Sequence, residues 1–124
     1  MADPTSFYTG WLVDPDARPN LLARFLPRYE IVVAHHVTHK FGDHAASPPL
    51  ATIGDIVGEA NDGMGVQALV VAIDGDPARP GGGTYHITWS LAPGREARES
   101  NDVIDARSWT PLQEPAHVRL VPKS

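Results

Sequence analysis

His36-Val37-Thr38-His39 and His86-Ile87-Thr88-Trp89 repeat one unit, H-x-T-x, at two places fifty positions apart. With six histidines and seven threonines in 124 residues, about 0.3 H-x-T spacings are expected by chance. Two of them, both in β-like segments, make the repetition a signal. Side chains alternate faces along an extended strand. His36 and Thr38 therefore share a face, joined by Lys40, and His86 and Thr88 share one, joined by Ser90. Val37 and Ile87 turn the other way, towards apolar packing. Each unit presents an imidazole and a hydroxyl about 7 Å apart along its strand. Two such strands side by side bring two imidazoles and two hydroxyls to one pocket.

That constellation suits phosphodiester chemistry without a metal. A neutral imidazole takes a proton from water or a hydroxyl, and a protonated one gives a proton to the departing oxygen. Histidine serves both roles because its ordinary pKa lies near neutrality. Threonine hydroxyls can donate to the non-bridging phosphate oxygens, where charge accumulates in the transition state.

The elements that must position these groups read as follows. Residues 7–13 make a first, aromatic-rich strand. Asp14-Pro15-Asp16 turns the chain into a short helix with Pro19 in its first turn, Leu21, Leu22, Phe25 and Leu26 on one face, and Pro27 as the stop. Residues 29–34 form a second strand, and 36–41 continue or follow it. A loop is expected over 42–49. Strands over 51–60 and 64–73 flank Asn61-Asp62-Gly63, a hairpin signal, and the unbroken apolar run 68–73 marks a central core strand. The turn-rich stretch 74–83 ends in three glycines, but no Gly-Lys-Ser/Thr follows. It reads as a strand connection rather than a phosphate loop. The second unit sits on a strand over 84–91, followed by a weak polar helix or ordered loop over 96–104 and a last strand over 117–121. The expected class is α+β with mostly antiparallel strands, arranged as two small lobes around a central cleft.

Composition narrows the function. The chain is of single-domain size, and its apolar fraction of 42% is ordinary for a globular protein. It has no cysteine, which removes thiol nucleophiles, thiolate metal sites and disulfides and fits a cytoplasmic setting. No apolar run is long enough to span a membrane, and the first residues lack the pattern of a signal peptide. A net charge of −5 argues against tracking duplex nucleic acid, which demands a basic footprint. A small nucleotide or an RNA end, held by a few placed groups, is the expected partner, and neither a membrane nor an oligomeric state is implied.

The two units, together with Tyr8-Thr9-Gly10-Trp11-Leu12, Leu21-Leu22 and His36-Val37-Thr38-His39-Lys40-Phe41-Gly42, resemble the two-histidine phosphoesterase superfamily. That group includes bacterial RNA-ligase-like proteins, cyclic phosphodiesterases and the phosphodiesterase domain of fungal tRNA ligase. The resemblance implies a bilobal α+β fold and a cofactor-free phosphodiesterase. Such an enzyme opens 2′,3′-cyclic phosphates on RNA ends or nucleotides, with a 2′-phosphate as the typical product. His36 and His86 would be its acid–base pair, and Thr38 and Thr88 its phosphate clamps. The chain departs from the family pattern at His35, His39 and Trp89, where apolar residues are usual, and it is short.

Several residues have competing readings. Trp89, Tyr8 and Trp11 sit beside the motif strands and could stack on a base, and Lys40 could help hold phosphate. Phe25 and Trp109 read as core, and Arg95 and Arg98 as solvated cations. A binding module that holds a nucleotide in the same cleft without turning it over is the alternative of another class. A metal-dependent hydrolase using His35, His39 and His44 is the remaining one, although the zinc-protease spacing is absent.

Overall fold

The computed structural model describes residues 8–41, 53–79, 82–107 and 109–123. For Tyr8, Thr9, Lys40, Phe41, Ala106, Arg107 and Lys123 it describes the backbone alone, and the loop expected over 42–49, His44 included, lies outside the described residues. In chain order the elements are β1 (Tyr8–Val13), α1 (Arg18–Arg24), β2 (Ile31–Val32), β3 (His36–Phe41), β4 (Ile53–Asn61), β5 (Val66–Ala72), β6 (His86–Leu91), α2 (Glu99–Arg107) and β7 (Thr110–Lys123).

All pairing between these strands is antiparallel. β1 lies between β3 and β7, β7 meets β4, β4 meets β5, β5 meets β6, and β6 returns to β3. Six strands therefore close into a barrel, with the short β2 added to β6. The mixed, mostly antiparallel class read from the sequence is the class observed. Ring closure was not legible, because it requires β1 to find β3 on one side and the distant β7 on the other.

Every ring strand sends apolar side chains to the inside. Trp11, Val37, Ile56, Leu69, Ile87 and Val118, one from each strand, belong to a single buried cluster. At about 25 cal/mol per Å² of apolar surface, this interior is the main favourable term in folding. Leu21 of α1 joins the cluster, with Leu22 and Phe25 packed against it. Leu26 does not share their face. The helix ends at Phe25, whose backbone is already extended (φ −113°, ψ 89°), and Leu26 is 70% exposed. Pro27 biases the residue before it away from helical geometry, so the stop acts earlier than the proline itself.

A second cluster lies outside the ring. Val103 and Ile104 of α2 pack onto Val66, Ala68 and Val70 of β5 and Leu91 of β6. β5 is thus covered on both faces and buried at every position, which is why its sequence shows no alternation. α2 has formed where only a weak helix was expected.

β7 spans fourteen residues, far beyond the expected 117–121. Three prolines in it argue against a long strand. The fold accommodates one of them by a bulge: Ile56 pairs with Ala116 but Gly58 with Pro111, so Pro115 falls in the surplus segment. No helix among the described residues is long and apolar enough to cross a membrane.

Candidate functional site

The first H-x-T unit reaches its position through a break in strand regularity. Val33 and Ala34 donate their N–H groups to the carbonyls of Trp89 and Thr88, at 2.9 and 3.0 Å. The next pair is Val37 with Ile87. Three steps along one strand thus match a single step along the other, and His35-His36 form a bulge. Ala34 and Val37 are both fully buried, a spacing of three that a regular strand forbids. Without the bulge, His36 would follow Ala34 into the barrel.

The bulge begins at Ala34, whose φ of 44° is left-handed and costs a residue with a Cβ on the order of 1–3 kcal/mol. Arg18, the first residue of α1, offsets this. Its Nε donates to the Ala34 carbonyl at 3.0 Å and its Nη2 to that of Val33 at 3.2 Å. On the other side, β1 approaches so closely that a Cβ at Gly10 would stand 2.2 Å from the Val37 carbonyl oxygen. Arg18→Ala is expected to cost about 1.5–3 kcal/mol, the scale of a hydrogen bond from a charged donor. Thermal denaturation measures that cost.

The second unit lies on β6. The Val37–Ile87 pair sets His36 across from Thr88 and Thr38 across from His86, so the two histidines stand on a diagonal of roughly 7–8 Å. All four residues line one cavity of about 580 Å³ on the outer face of the barrel, and Arg79, Leu91, Arg95, Glu96, Ala97, Arg98 and Asn101 complete its wall. The volume is within the range of small-molecule sites.

Local bonds orient the two imidazoles. His86 Nδ1 is 2.9 Å from the Thr84 carbonyl oxygen, which can only accept, so Nδ1 carries the proton and Nε2 the lone pair. Burial pushes the His86 pKa below its ordinary value. The Thr84 carbonyl acts against that shift, Arg79 reinforces it and Asp105 opposes it. His36 Nδ1 lies 3.0 Å from His35 Nδ1. When His36 is protonated, its Nδ1–H donates to a neutral His35, and its Nε2–H is the remaining acidic proton.

Thr88 has an unexpected set of partners. Its hydroxyl donates to the Ala97 carbonyl at 3.2 Å and lies 2.9 Å from Ser100 Oγ, and Ser100 is fully buried. The segment leading into α2 is thereby tied to β6. Arg95 is also structural. It bonds Asp62 at 2.9 Å, Glu99 at 3.1 Å and the Met64 carbonyl at 2.6 Å, holding the β4–β5 turn against α2. Burial alone would raise the Asp62 carboxyl, but the Met64 and Val66 N–H groups and Arg95 outweigh it and hold it low. Arg98 pairs with Glu96 at 2.6 Å on the exposed rim.

Other expected contacts do not reach the cavity. Trp89 is fully buried in the barrel core and donates its indole N–H to the Phe25 carbonyl at 2.7 Å. Trp11, also buried, meets Tyr85 and His39 edge-on at ring distances of 5.6 and 5.8 Å. Neither is placed to stack on a base. Alternation gives the reason for Trp89, which falls on the inward face of Ile87. Ser90 does not join His86 and Thr88 in the cavity: it is buried and donates to Gln67 at 2.6 Å. For Tyr8 and Lys40 the side chains are outside the described residues. The β1–β3 register slips at His39, with Thr9 opposite Lys40 but Gly10 opposite Thr38, so alternation from Thr38 does not extend to Lys40.

The same irregularities separate His35 from His39. His35 is exposed beside His36, whereas His39 stacks on Tyr85 and its buried Nδ1 finds no partner among the described residues. The shared face expected of them as metal ligands is lost, and His44 lies outside the described residues. Among the described residues no group of three His, Cys, Asp or Glu gathers as a metal site. Arg79, Ser100 and Asn101 were not singled out from the sequence. The glycines after Arg79 were the available signal, read as a plain connection.

Compared with protein-family models, curated proteins and solved structures, the chain has no match in any of the three.

Proposed function

We propose that this protein is a metal-independent phosphodiesterase that opens 2′,3′-cyclic phosphates on nucleotides or RNA ends. The observation that carries the proposal is the meeting of His36, Thr38, His86 and Thr88 in one cavity, although they arise fifty residues apart in the chain. His86 acts as the base: its Nδ1–H is held by Thr84, and the lone pair on Nε2 takes a proton from water. The water oxygen bonds to phosphorus as the bond from phosphorus to one ribose oxygen breaks. His36 acts as the acid, giving its Nε2 proton to that departing oxygen, with His35 accepting from its Nδ1. Release of the 3′-oxygen leaves a 2′-phosphate. Thr38 donates to a non-bridging oxygen.

In this reading the β3–β6 seam joins two half-units, β1-α1-β2-β3 and β4-β5-β6-α2, which play the part of two lobes facing one cleft. A cytoplasmic setting accompanies the proposal, on the absence of cysteine. The test is incubation with the four nucleoside 2′,3′-cyclic monophosphates, with and without EDTA, resolved against 2′- and 3′-phosphate standards. EDTA-resistant formation of a single isomer is the expected result. Activity abolished by EDTA would move the reading to a metal-dependent hydrolase. Tight binding with no product would leave a nucleotide-binding module in the same cleft, the second reading, which the hydrogen bonds already made by Thr88 favour.

A further inference from the structure

We infer that Arg79, presented by the glycine turn that follows it, is the donor to the non-bridging phosphate oxygens on the second-motif side, and that Thr88 is a scaffold residue instead. The inference rests on the phosphoesterase reading and deepens it. Thr88 has one hydroxyl proton, with two protein acceptors in reach, the Ala97 carbonyl at 3.2 Å and Ser100 Oγ at 2.9 Å. Donating to a phosphate would cost the bond to the Ala97 carbonyl, one of the two contacts by which Thr88 ties β6 to the start of α2. The oxygen nearest the second motif therefore needs another donor.

Arg79 lines the same cavity as His86 and Thr38, and its surroundings are built to fix it. The Arg79 N–H donates to the Gly83 carbonyl at 3.0 Å, and the Gly82 N–H donates to the Arg79 carbonyl at 3.0 Å. The side chain folds back over this turn, with Nε donating to the Gly82 carbonyl at 3.1 Å. The guanidinium lies so close to Gly83 that a Cβ there would stand 2.7 Å from Nη2. Gly82 and Gly83 have φ of 115° and 89°, conformations that favour glycine, and the Ala78–Thr84 bridge closes the loop. From α2, Asn101 Oδ1 stands 3.5 Å from Nη2. The glycines thus wrap an arginine rather than a phosphate. A guanidinium carries five N–H donors in a rigid fork, and one fixed in this way adds a contact to an oxyanion at little further entropy cost, which suits a preorganised site.

The inference is tested by steady-state kinetics on a nucleoside 2′,3′-cyclic monophosphate for wild type, Arg79→Gln, Arg79→Lys and Thr88→Val, each with a melting temperature. Arg79→Gln is expected to lose about 10²–10³-fold in kcat at an unchanged melting temperature, with Arg79→Lys in between. Thr88→Val is expected to lose less than about tenfold in kcat while melting lower. Arg79→Gln within about threefold of wild type, or Thr88→Val inactive at an unchanged melting temperature, would overturn it. If wild type cleaves no cyclic nucleotide, the phosphoesterase reading fails separately, and calorimetric titration with adenosine 2′-monophosphate decides the role of Arg79. Binding weakened at least tenfold by Arg79→Gln supports an anion anchor. Equal binding by both proteins, or none by wild type, overturns it.

Discussion

Replacing His86 by alanine is expected to lower turnover of a 2′,3′-cyclic nucleotide by about 10²–10⁴-fold, the scale of one general acid–base step, with the barrel intact. His86 lies on the outer face, so its removal opens no void in the interior, and an unchanged circular dichroism spectrum is the control. The wild-type pH profile should be bell-shaped, because one imidazole must be neutral and the other charged. Burial depresses the His86 pKa, which places the acid limb below the ordinary histidine value of about 6.5. A profile flat between pH 5 and 9 would sink the assignment. The same shift has a thermodynamic sign. Below about pH 6.5 the unfolded chain takes up a proton that the folded His86 refuses, so the contribution of this group to stability is full above that pH. It is lost as the pH falls towards the depressed folded value.

Trp89→Ala is expected to destabilise the protein by about 3–5 kcal/mol, a large part of the roughly 5–15 kcal/mol that holds a typical domain. Its indole fills the barrel, stands edge-on to Phe25 at 6.3 Å and donates to the Phe25 carbonyl at 2.7 Å. Truncation removes the packing of Phe25, at the end of α1, against the ring and leaves that carbonyl without its donor. Trp89→Phe, which keeps most of the apolar volume, should melt at an intermediate temperature while retaining the KM of wild type. Denaturation curves of the three proteins, with KM measured on the folded ones, separate a core tryptophan from a base-stacking one. A raised KM in Trp89→Phe at an unchanged melting temperature would restore the stacking role.

How far the sequence revealed these features depended on how local their causes are. The two H-x-T strands, the helix begun after Asp14 and the apolar strand β5 rest on period and turn chemistry confined to a few residues, and they form where expected. Ala17, however, caps the helix without a side-chain bond in place of the expected aspartate, and Leu26 leaves its apolar face. Alternation also placed Val37 and Ile87 inside and their neighbours outside. Where it was not followed through, at Trp89, the inward face was missed. Position in the cavity was less legible. Arg79 reaches it because a hairpin folds back on itself, and Ser100 because α2 docks on β5. Both depend on contacts between distant segments. The bulge at His35 could not be read from residue types, since nothing in Ala34 announces a left-handed backbone that Arg18 stabilises from another element.

The closed ring also bears on how the chain folds. β1 pairs with β3 nearby and with β7 roughly a hundred residues away, and the two motif strands are neighbours across fifty residues of sequence. Local pairing alone cannot bring the two histidines onto their diagonal. A topology dominated by such distant partners pays loop-closure entropy early and folds in the millisecond-to-second range. Until β7 docks between β1 and β4, both of those strands carry open edges, the kind of ladder that recruits other chains. In the finished protein the ring leaves those two strands no edge, so closure that completes the site is also what protects the chain from association through them.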